Sequence, residues 1–318
     1  MLLMYSLKLI TILLVLMLAT ACGGGETPIP PVPSPTAVQS IEPTAETVEL
    51  PTTEFKVVRA DKGADGRYNA GLEHQEQGRL EEAIAEYDEA IKLNPAFASA
   101  LKNRGIAYAE TGQVGRAIQD YQTVISLHAG DPVAYINLGL LFHQIGQPEN
   151  AQLAYSEAIG LDPRLSIAYV NRGAAYNDMK QHDKAVEDLN EAIRLDPKEV
   201  LAYINRAVAH AELGQPGQAK QDYDEAIRLD PQDSSAYSGR GGLHLRAGEY
   251  ELAIQDNKEA IRLNPRHSLA YINRALAYTY LGKDEEARQD VEKVGEWGIG
   301  STSMTAVEAS IEEAKKRR

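Results

Sequence analysis

From about residue 64 onward the chain repeats itself every 34 residues, and it does so seven times. A small residue marks each copy, at Gly71, Gly105, Gly139, Gly173, Ala207, Gly241 and Ala275. Alanine follows twelve residues later in all of them, at Ala83, Ala117, Ala151, Ala185, Ala219, Ala253 and Ala287. Isoleucine closes every copy but the last, at Ile91, Ile125, Ile159, Ile193, Ile227 and Ile261. A fixed period of this length signals a solenoid in which each unit is a helix pair that buries its apolar face on its neighbours. A chain of 318 residues could otherwise hold two or three compact domains. Stacked units make one array instead, and such arrays present binding surfaces rather than catalytic pockets.

Copy four shows the local logic. Tyr169, Gly173 and Tyr176 recur at three- and four-residue steps, which predicts a helix over 167–179. Gly173 lets a second helix, predicted over 183–195, bring up Ala185, Leu189, Ala192 and Ile193. Gly78, Gly112, Gly146, Gly214, Gly248 and Gly282 stand where first helices should end, the place for a left-handed cap. Pro148 and Pro216 follow at the start of second helices, where a missing N–H costs nothing. At the array ends the pattern degrades: Arg67 replaces the Leu101 and Tyr135, Tyr169, Tyr203, Tyr237, Tyr271 site, and Val291 and Gly295 weaken copy seven. Met304, Val307, Ile311 and Ala314 then predict a capping helix over 302–318.

The period, the small–aromatic–Ala pattern and the prolines that close most copies (Pro95, Pro163, Pro197, Pro231, Pro265) resemble the tetratricopeptide repeat over 64–301. The resemblance implies an all-α solenoid of seven antiparallel helix pairs wound into a right-handed superhelix. It also implies that the first helix of each pair lines a concave groove, and that a protein or peptide occupies it.

The N-terminus reads differently. Lys8, an apolar run from Leu9 to Leu18, and small residues Ala19, Thr20 and Ala21 lead into Cys22, the chain's one cysteine. A signal peptide over 1–21 is the expectation, its apolar stretch too short to span a bilayer comfortably. Leu18-Ala19-Thr20-Ala21-Cys22 resembles the bacterial lipoprotein box, which implies a lipidated Cys22 and a membrane-anchored protein on the outer face of a bacterial membrane. It departs from that box at Ala19, where leucine is preferred, and an ordinary secretory signal or an uncleaved anchor with an incidental cysteine is the other reading. Gly23 in place of aspartate would favour the outer membrane in a two-membrane cell. Residues 22–63 are rich in Pro, Thr, Ser and Glu, too poor in apolar surface to fold, and read as a linker.

Net charge is −14 and the isoelectric point near 5, which argues against nucleic acid and anionic lipid surfaces as main partners. The run Lys315, Lys316, Arg317, Arg318 complements the dipole of a last helix. No metal or cofactor motif is present, and no enzyme activity is expected. His74, His210 and His244 take the place of Tyr108, Phe142, Tyr176 and Tyr278 and read as core substitutes. Gly239-Arg240-Gly241-Gly242 imitates a phosphate loop but lies inside a repeat helix, which it should weaken.

Five copies have arginine just before the small residue, at Arg104, Arg172, Arg206, Arg240 and Arg274. The same five have aspartate sixteen residues later, at Asp120, Asp188, Asp222, Asp256 and Asp290. Ala70 and Leu138 lack the arginine, and their copies carry Glu86 and Ala154 instead. This covariation between copies predicts a charge-assisted pair joining the two helices.

Two residues before the small residue stand Asn69, Asn103, Asn137, Asn171, Asn205 and Asn273, with Gly239 the exception. Asparagine is a mediocre helix former, so its repetition asks for a reason. A carboxamide can donate to a peptide C=O and accept from a peptide N–H. The row resembles the asparagine ladder in the repeat superhelix of O-linked N-acetylglucosamine transferases, which implies binding of extended polypeptide. The other reading is that these amides bond to a neighbouring repeat and stiffen the array. Beside them Ile136, Leu140, Val170, Ile204, Val208 and Ile272, with Val133, Ile167, Leu201, Leu269 and Leu276, are candidates for an apolar groove lining or for packing between repeats. The carboxylate clamp of chaperone-binding relatives is not reproduced: Lys102 and Asn137 fit it, but Ile106, Ile167 and Asn171 replace its other members. The function expected is a lipid-anchored cell-envelope scaffold for protein segments. The alternative is an assembly factor for an envelope machine, resembling repeat-containing pilotin lipoproteins of pilus biogenesis.

Overall fold

The computed structural model describes residues 62–297 and 301–317, and among these there are fifteen helices and no strand. The signal peptide, Cys22 and the linker up to residue 61 lie outside the described residues. The helices fall into two compact units, divided between Leu161 and Asp162.

The first unit holds α1 (Lys62–Glu76), α2 (Leu80–Leu93), α3 (Ala98–Glu110), α4 (Val114–Leu127), α5 (Pro132–Gln144) and α6 (Pro148–Leu161). Each odd helix packs on the next even one to form a repeat, and α2 and α4 carry the contact to the following repeat. The second unit holds α7 (Ser166–Asp178), α8 (His182–Leu195), α9 (Val200–Glu212), α10 (Pro216–Leu229), α11 (Ser234–Arg246), α12 (Tyr250–Leu263), α13 (Ser268–Tyr280), α14 (Asp284–Gly295) and α15 (Ser301–Arg317). There the first helices also touch in sequence, α7 on α9, α9 on α11, α11 on α13, and α15 packs mainly on α13. The all-α helix-pair solenoid is the fold.

In copies one to four a large side chain of the second helix fits under the glycine of its own first helix. A Cβ added at Gly71 would come within 2.5 Å of the Tyr87 ring, one at Gly139 within 2.5 Å of Tyr155, and one at Gly173 within 2.7 Å of Leu189. Tyr87, Tyr155 and Leu189 are fully buried at these crossings. The turns between paired helices are equally regular. All six cap glycines have φ between 72° and 77°, and the next residue donates its N–H five residues back, as Gln113 does to Tyr108 at 2.7 Å. Such a bond satisfies a carbonyl that the helix end would leave unpaired. Copy four has no glycine there, and Lys180 takes the same left-handed conformation at φ 58°.

Candidate protein-binding surface

The strongest side-chain interactions lie between the helices of a pair. In all five arginine-bearing copies the guanidinium grips its aspartate with two bonds. The distances are 2.8 and 2.5 Å for Arg104–Asp120, 2.7 and 2.7 Å for Arg172–Asp188, and 3.0 and 2.6 Å for Arg206–Asp222. Arg240–Asp256 has 2.8 and 2.8 Å, and Arg274–Asp290 has 2.8 and 2.6 Å. The third nitrogen reaches sixteen residues backward to the preceding repeat: Arg104 to Asp88 at 2.6 Å, Arg206 to Asn190 at 2.7 Å, Arg240 to Asp224 at 2.7 Å. One planar fork thus ties three helices, which a lysine could not do. Tyrosine rings flank it, Tyr203 at 5.5 Å from Arg206 and Tyr271 at 5.2 Å from Arg274. Burial works against the Arg104 charge, but the bonds to Asp120 and Asp88 outweigh it and hold its pKa above the usual arginine value. At Asp120 burial dominates and raises the carboxyl in spite of Arg104. These arginines are structural, each already satisfied by the fold.

Part of the asparagine row is bonded into the fold in the same way. Asn103 donates to the Tyr68 hydroxyl of the preceding repeat at 2.9 Å, and Asn137 lies beside the hydroxyl of buried Tyr121, also one repeat back, which donates to the Lys102 carbonyl at 3.2 Å. Asn273 donates to the Ser238 carbonyl at 3.3 Å. Asn171 and Asn273 are buried, at 7% and 9% exposure. Asn205 is half-buried, its backbone carbonyl accepting from Asn177 at 2.9 Å, and Asn69 is exposed on α1. Asn103 and Asn273 therefore join one repeat to the one before it.

The missing asparagine of copy six has a steric cause that spacing alone does not reveal. Copy five has Ala207 where most copies have glycine, and its large residue Tyr223 lies instead against Gly239 of the next repeat. A Cβ at 239 would collide with the Tyr223 ring. Ala207 and Gly239 are one substitution spread over two repeats.

The apolar groove set needs correction. Ile136, Val170, Ile204 and Ile272 are buried, at 7%, 1%, 2% and 8% exposure, and are core rather than open lining. Val170 packs with Ala202 and Ala209 of the next first helix, and Ile204 with Ala236 and Leu243. Ile272 is covered by Val307 and Met304 of α15. The reason is helical geometry: the residue one position before the asparagine turns toward the following repeat. Leu140 and Val208, four residues later on the same helices, remain half-buried. So do Val133, Ile167, Leu201, Leu269 and Leu276. In copy two the corresponding core position holds Lys102, which reaches forward to Asp131, the cap of α5, at 2.8 Å. Burial opposes the Asp131 charge, but Lys102 and the N–H groups of Ala134 and Val133 outweigh it and hold the carboxyl below its usual range.

His210 and His244 are buried and serve the fold, His210 bonded to Gln215 at 2.6 Å and His244 to Glu249 at 2.5 Å. Gly239, Gly241 and Gly242 all lie inside α11, so no phosphate loop forms there. Among the described residues no cluster of His, Cys, Asp or Glu could hold a metal ion, and no helix is long and apolar enough to cross a membrane.

A stack of helix pairs with large residues under glycines, glycine-capped turns and a half-buried apolar row on its first helices defines a repeat scaffold for protein interaction. Sequence profiles described as TPR repeat or tetratricopeptide repeat match residues 71–112, 132–165, 166–199, 204–265 and 269–297. The chain belongs to the tetratricopeptide repeat family. No curated protein matches it in sequence. Among solved structures, a tetratricopeptide repeat protein from Parabacteroides merdae is similar at TM-score 0.70 and 19% identity, over 78% of this chain and 98% of that one. PilW, described as a widely conserved type IV pilus biogenesis factor, is similar at TM-score 0.58 and 17% identity, over 65% and 96%. Pseudomonas aeruginosa PilF is similar at TM-score 0.55 and 19% identity, over 67% and 96%. At such identities these likenesses are of fold alone.

Proposed function

We propose that the protein is a lipid-anchored scaffold of the bacterial cell envelope, exported by its signal peptide, acylated at Cys22 and held off the outer face of the membrane by its proline-rich linker. It binds protein or peptide segments across the first helices of its repeats. The observation that carries the binding reading is that the first helices of each unit keep half-buried apolar residues, Leu140 in the first unit and Val208 in the second. The bonded asparagines stiffen the platform, and Asn69 and Asn205 are the amides best placed to meet a partner's backbone. No bound cofactor enters this function.

A photo-crosslinking side chain at Val208, or separately at Leu140, should capture a protein partner from the native membrane, whereas the same probe at exposed Lys220 on α10 should not. Equal capture from all three sites would overturn the groove reading. Anchoring is tested separately: Cys22→Ser should abolish fatty-acid labelling and release the protein from membranes, and unchanged labelling would end the lipoprotein reading. A second reading, an assembly factor for an envelope machine, draws on the fold likeness to PilW and PilF. A pilus secretin as the captured partner would favour it over a general scaffold.

A further inference from the structure

Repeat six has an interior unlike the others. The position filled by Tyr87, Tyr121, Tyr155, Leu189 and Tyr223 in copies one to five holds Asn257, which is 0% exposed. Its amide nitrogen donates to the Ala253 carbonyl at 2.7 Å, and its side-chain oxygen finds no protein partner. On α11, Ser238 occupies the core position of Ile136, Val170, Ile204 and Ile272; it is 1% exposed, and its hydroxyl also finds no protein partner. Gly239, Gly241 and Gly242 fall in one turn of that helix. The apolar cluster around α12 buries only Ala253, Ile254 and Ala277, whereas the cluster around α10 buries Tyr203, Ile204 and Tyr223, with Ala236 and Leu243 of α11 joining it.

Each of these features weakens the repeat. A buried polar group without a partner carries its full desolvation cost, and glycine inside a helix gives up backbone entropy. In a stacked array stability is nearly a sum of unit and nearest-neighbour terms, so a weak unit is felt locally. The C-terminal side, by contrast, is closed: Val307 packs on Ile272 and Val294, and Ile311 on Ala275 and Ala287.

We propose that repeat six is a yielding joint within the second unit. Helices α11 and α12 open together while α9–α10 on one side, and α13–α14 with α15 on the other, stay folded. The proposal rests on packing alone and stands whether or not the binding reading above is correct. If that reading holds, the joint lets the first helices on its two sides change their relative tilt to suit a partner.

Hydrogen–deuterium exchange of the full chain tests it. Amides of α11 and α12 should exchange about tenfold or more faster than those of α9–α10 and of α13–α14, as local opening at a weak unit requires. Asn257→Leu copies the Gly173–Leu189 pairing of copy four and should slow exchange in α11–α12 by about tenfold, leaving α7–α8 unchanged. The reverse change, Leu189→Asn, should create the same fast exchange in α7–α8. Protection in α11–α12 equal to that of α9–α10 would overturn the joint. So would a gradient in which α14 and α15 exchange faster than α11, because that is fraying from the chain end, or an Asn257→Leu variant whose exchange is unchanged.

Discussion

The two units are built from the same repeat but hold it together by different chemistry. In the second unit every copy carries the forked Arg–Asp pair, from Arg172–Asp188 to Arg274–Asp290. In the first unit only copy two does. Copy one shifts the arginine three residues earlier, and Arg67 reaches Glu86 at 3.0 Å. Copy three dispenses with charge: Leu138 and Ala154 fill the space, at 1% and 3% exposure. Outer edges differ too. Leu93, Leu127 and Leu161 end their helices at 47%, 39% and 43% exposure, whereas Leu195, Leu229 and Leu263 in the second unit are half-buried. The helix-pair geometry thus requires that the space between the helices be filled and satisfied, and accepts either an ion pair or a dry apolar pair for the purpose. What it does not accept is half of either.

That contrast is easiest to break at the ion pair. Arg206→Ala should cost about 3–5 kcal/mol, since it leaves the buried Asp222 charge without its partner, and Asp222→Ala less, since half-buried Arg206 keeps Asn190. Arg206→Leu combined with Asp222→Ala imports the dry pair of copy three and should cost far less than the sum. Denaturant unfolding of the four proteins decides it, and additive losses would show that the dry and ionic joints are not interchangeable. Next comes the glycine crossing. Gly139→Ala in the first unit should cost about 1–3 kcal/mol, because its new Cβ meets the Tyr155 ring, while Ala207 in the second unit is tolerated through Gly239. A Gly139→Ala protein with an unchanged melting temperature would deny the crossing its importance.

Lys180→Gly should stabilise the second unit by about 1 kcal/mol, by removing a left-handed strain that the six glycine caps avoid. An unchanged or lower melting temperature would place the reason for Lys180 elsewhere. The smallest difference is in pH response. Asp131 has a lowered pKa in the folded first unit, so its contribution is complete above the ordinary aspartate value and is lost as pH falls through the folded one. Being partly solvated, the pair should account for under about 1 kcal/mol, removed in Asp131→Asn. His267 in the second unit is lowered from 6.5 by burial, so its neutral form favours folding, and stability should decline as pH falls below that value. His267→Asn should flatten that part of the second unit's profile, and an unaltered profile would remove the histidine from the account.

Much of this was legible beforehand because a repeat protein samples its own design seven times. The Arg–Asp pairs are an example: copies that lose Arg104's counterpart also lose Asp120's, and the structure joins those very side chains. The cap glycines are another, since a helix that ends and turns back needs a left-handed residue whatever it packs against. What could not be read is which way each first-helix side chain finds its neighbour. Ile204 and Val208 sit four residues apart on one helix and look alike in the repeat, yet one is sealed by Ala236 and Leu243 and the other is half-open.

By itself, then, the sequence determined the fold class, the helix pairing, the turn chemistry and the ion pairs, because all four follow from residues recurring at short, fixed separations. Only the tertiary structure decided the fate of the asparagines and their apolar neighbours. The partners that do bond them, Tyr68 for Asn103 and Ser238 for Asn273, belong to an adjacent repeat. Periodicity fixes what a residue is within its own repeat; contact across the stack fixes whether it is surface or joint.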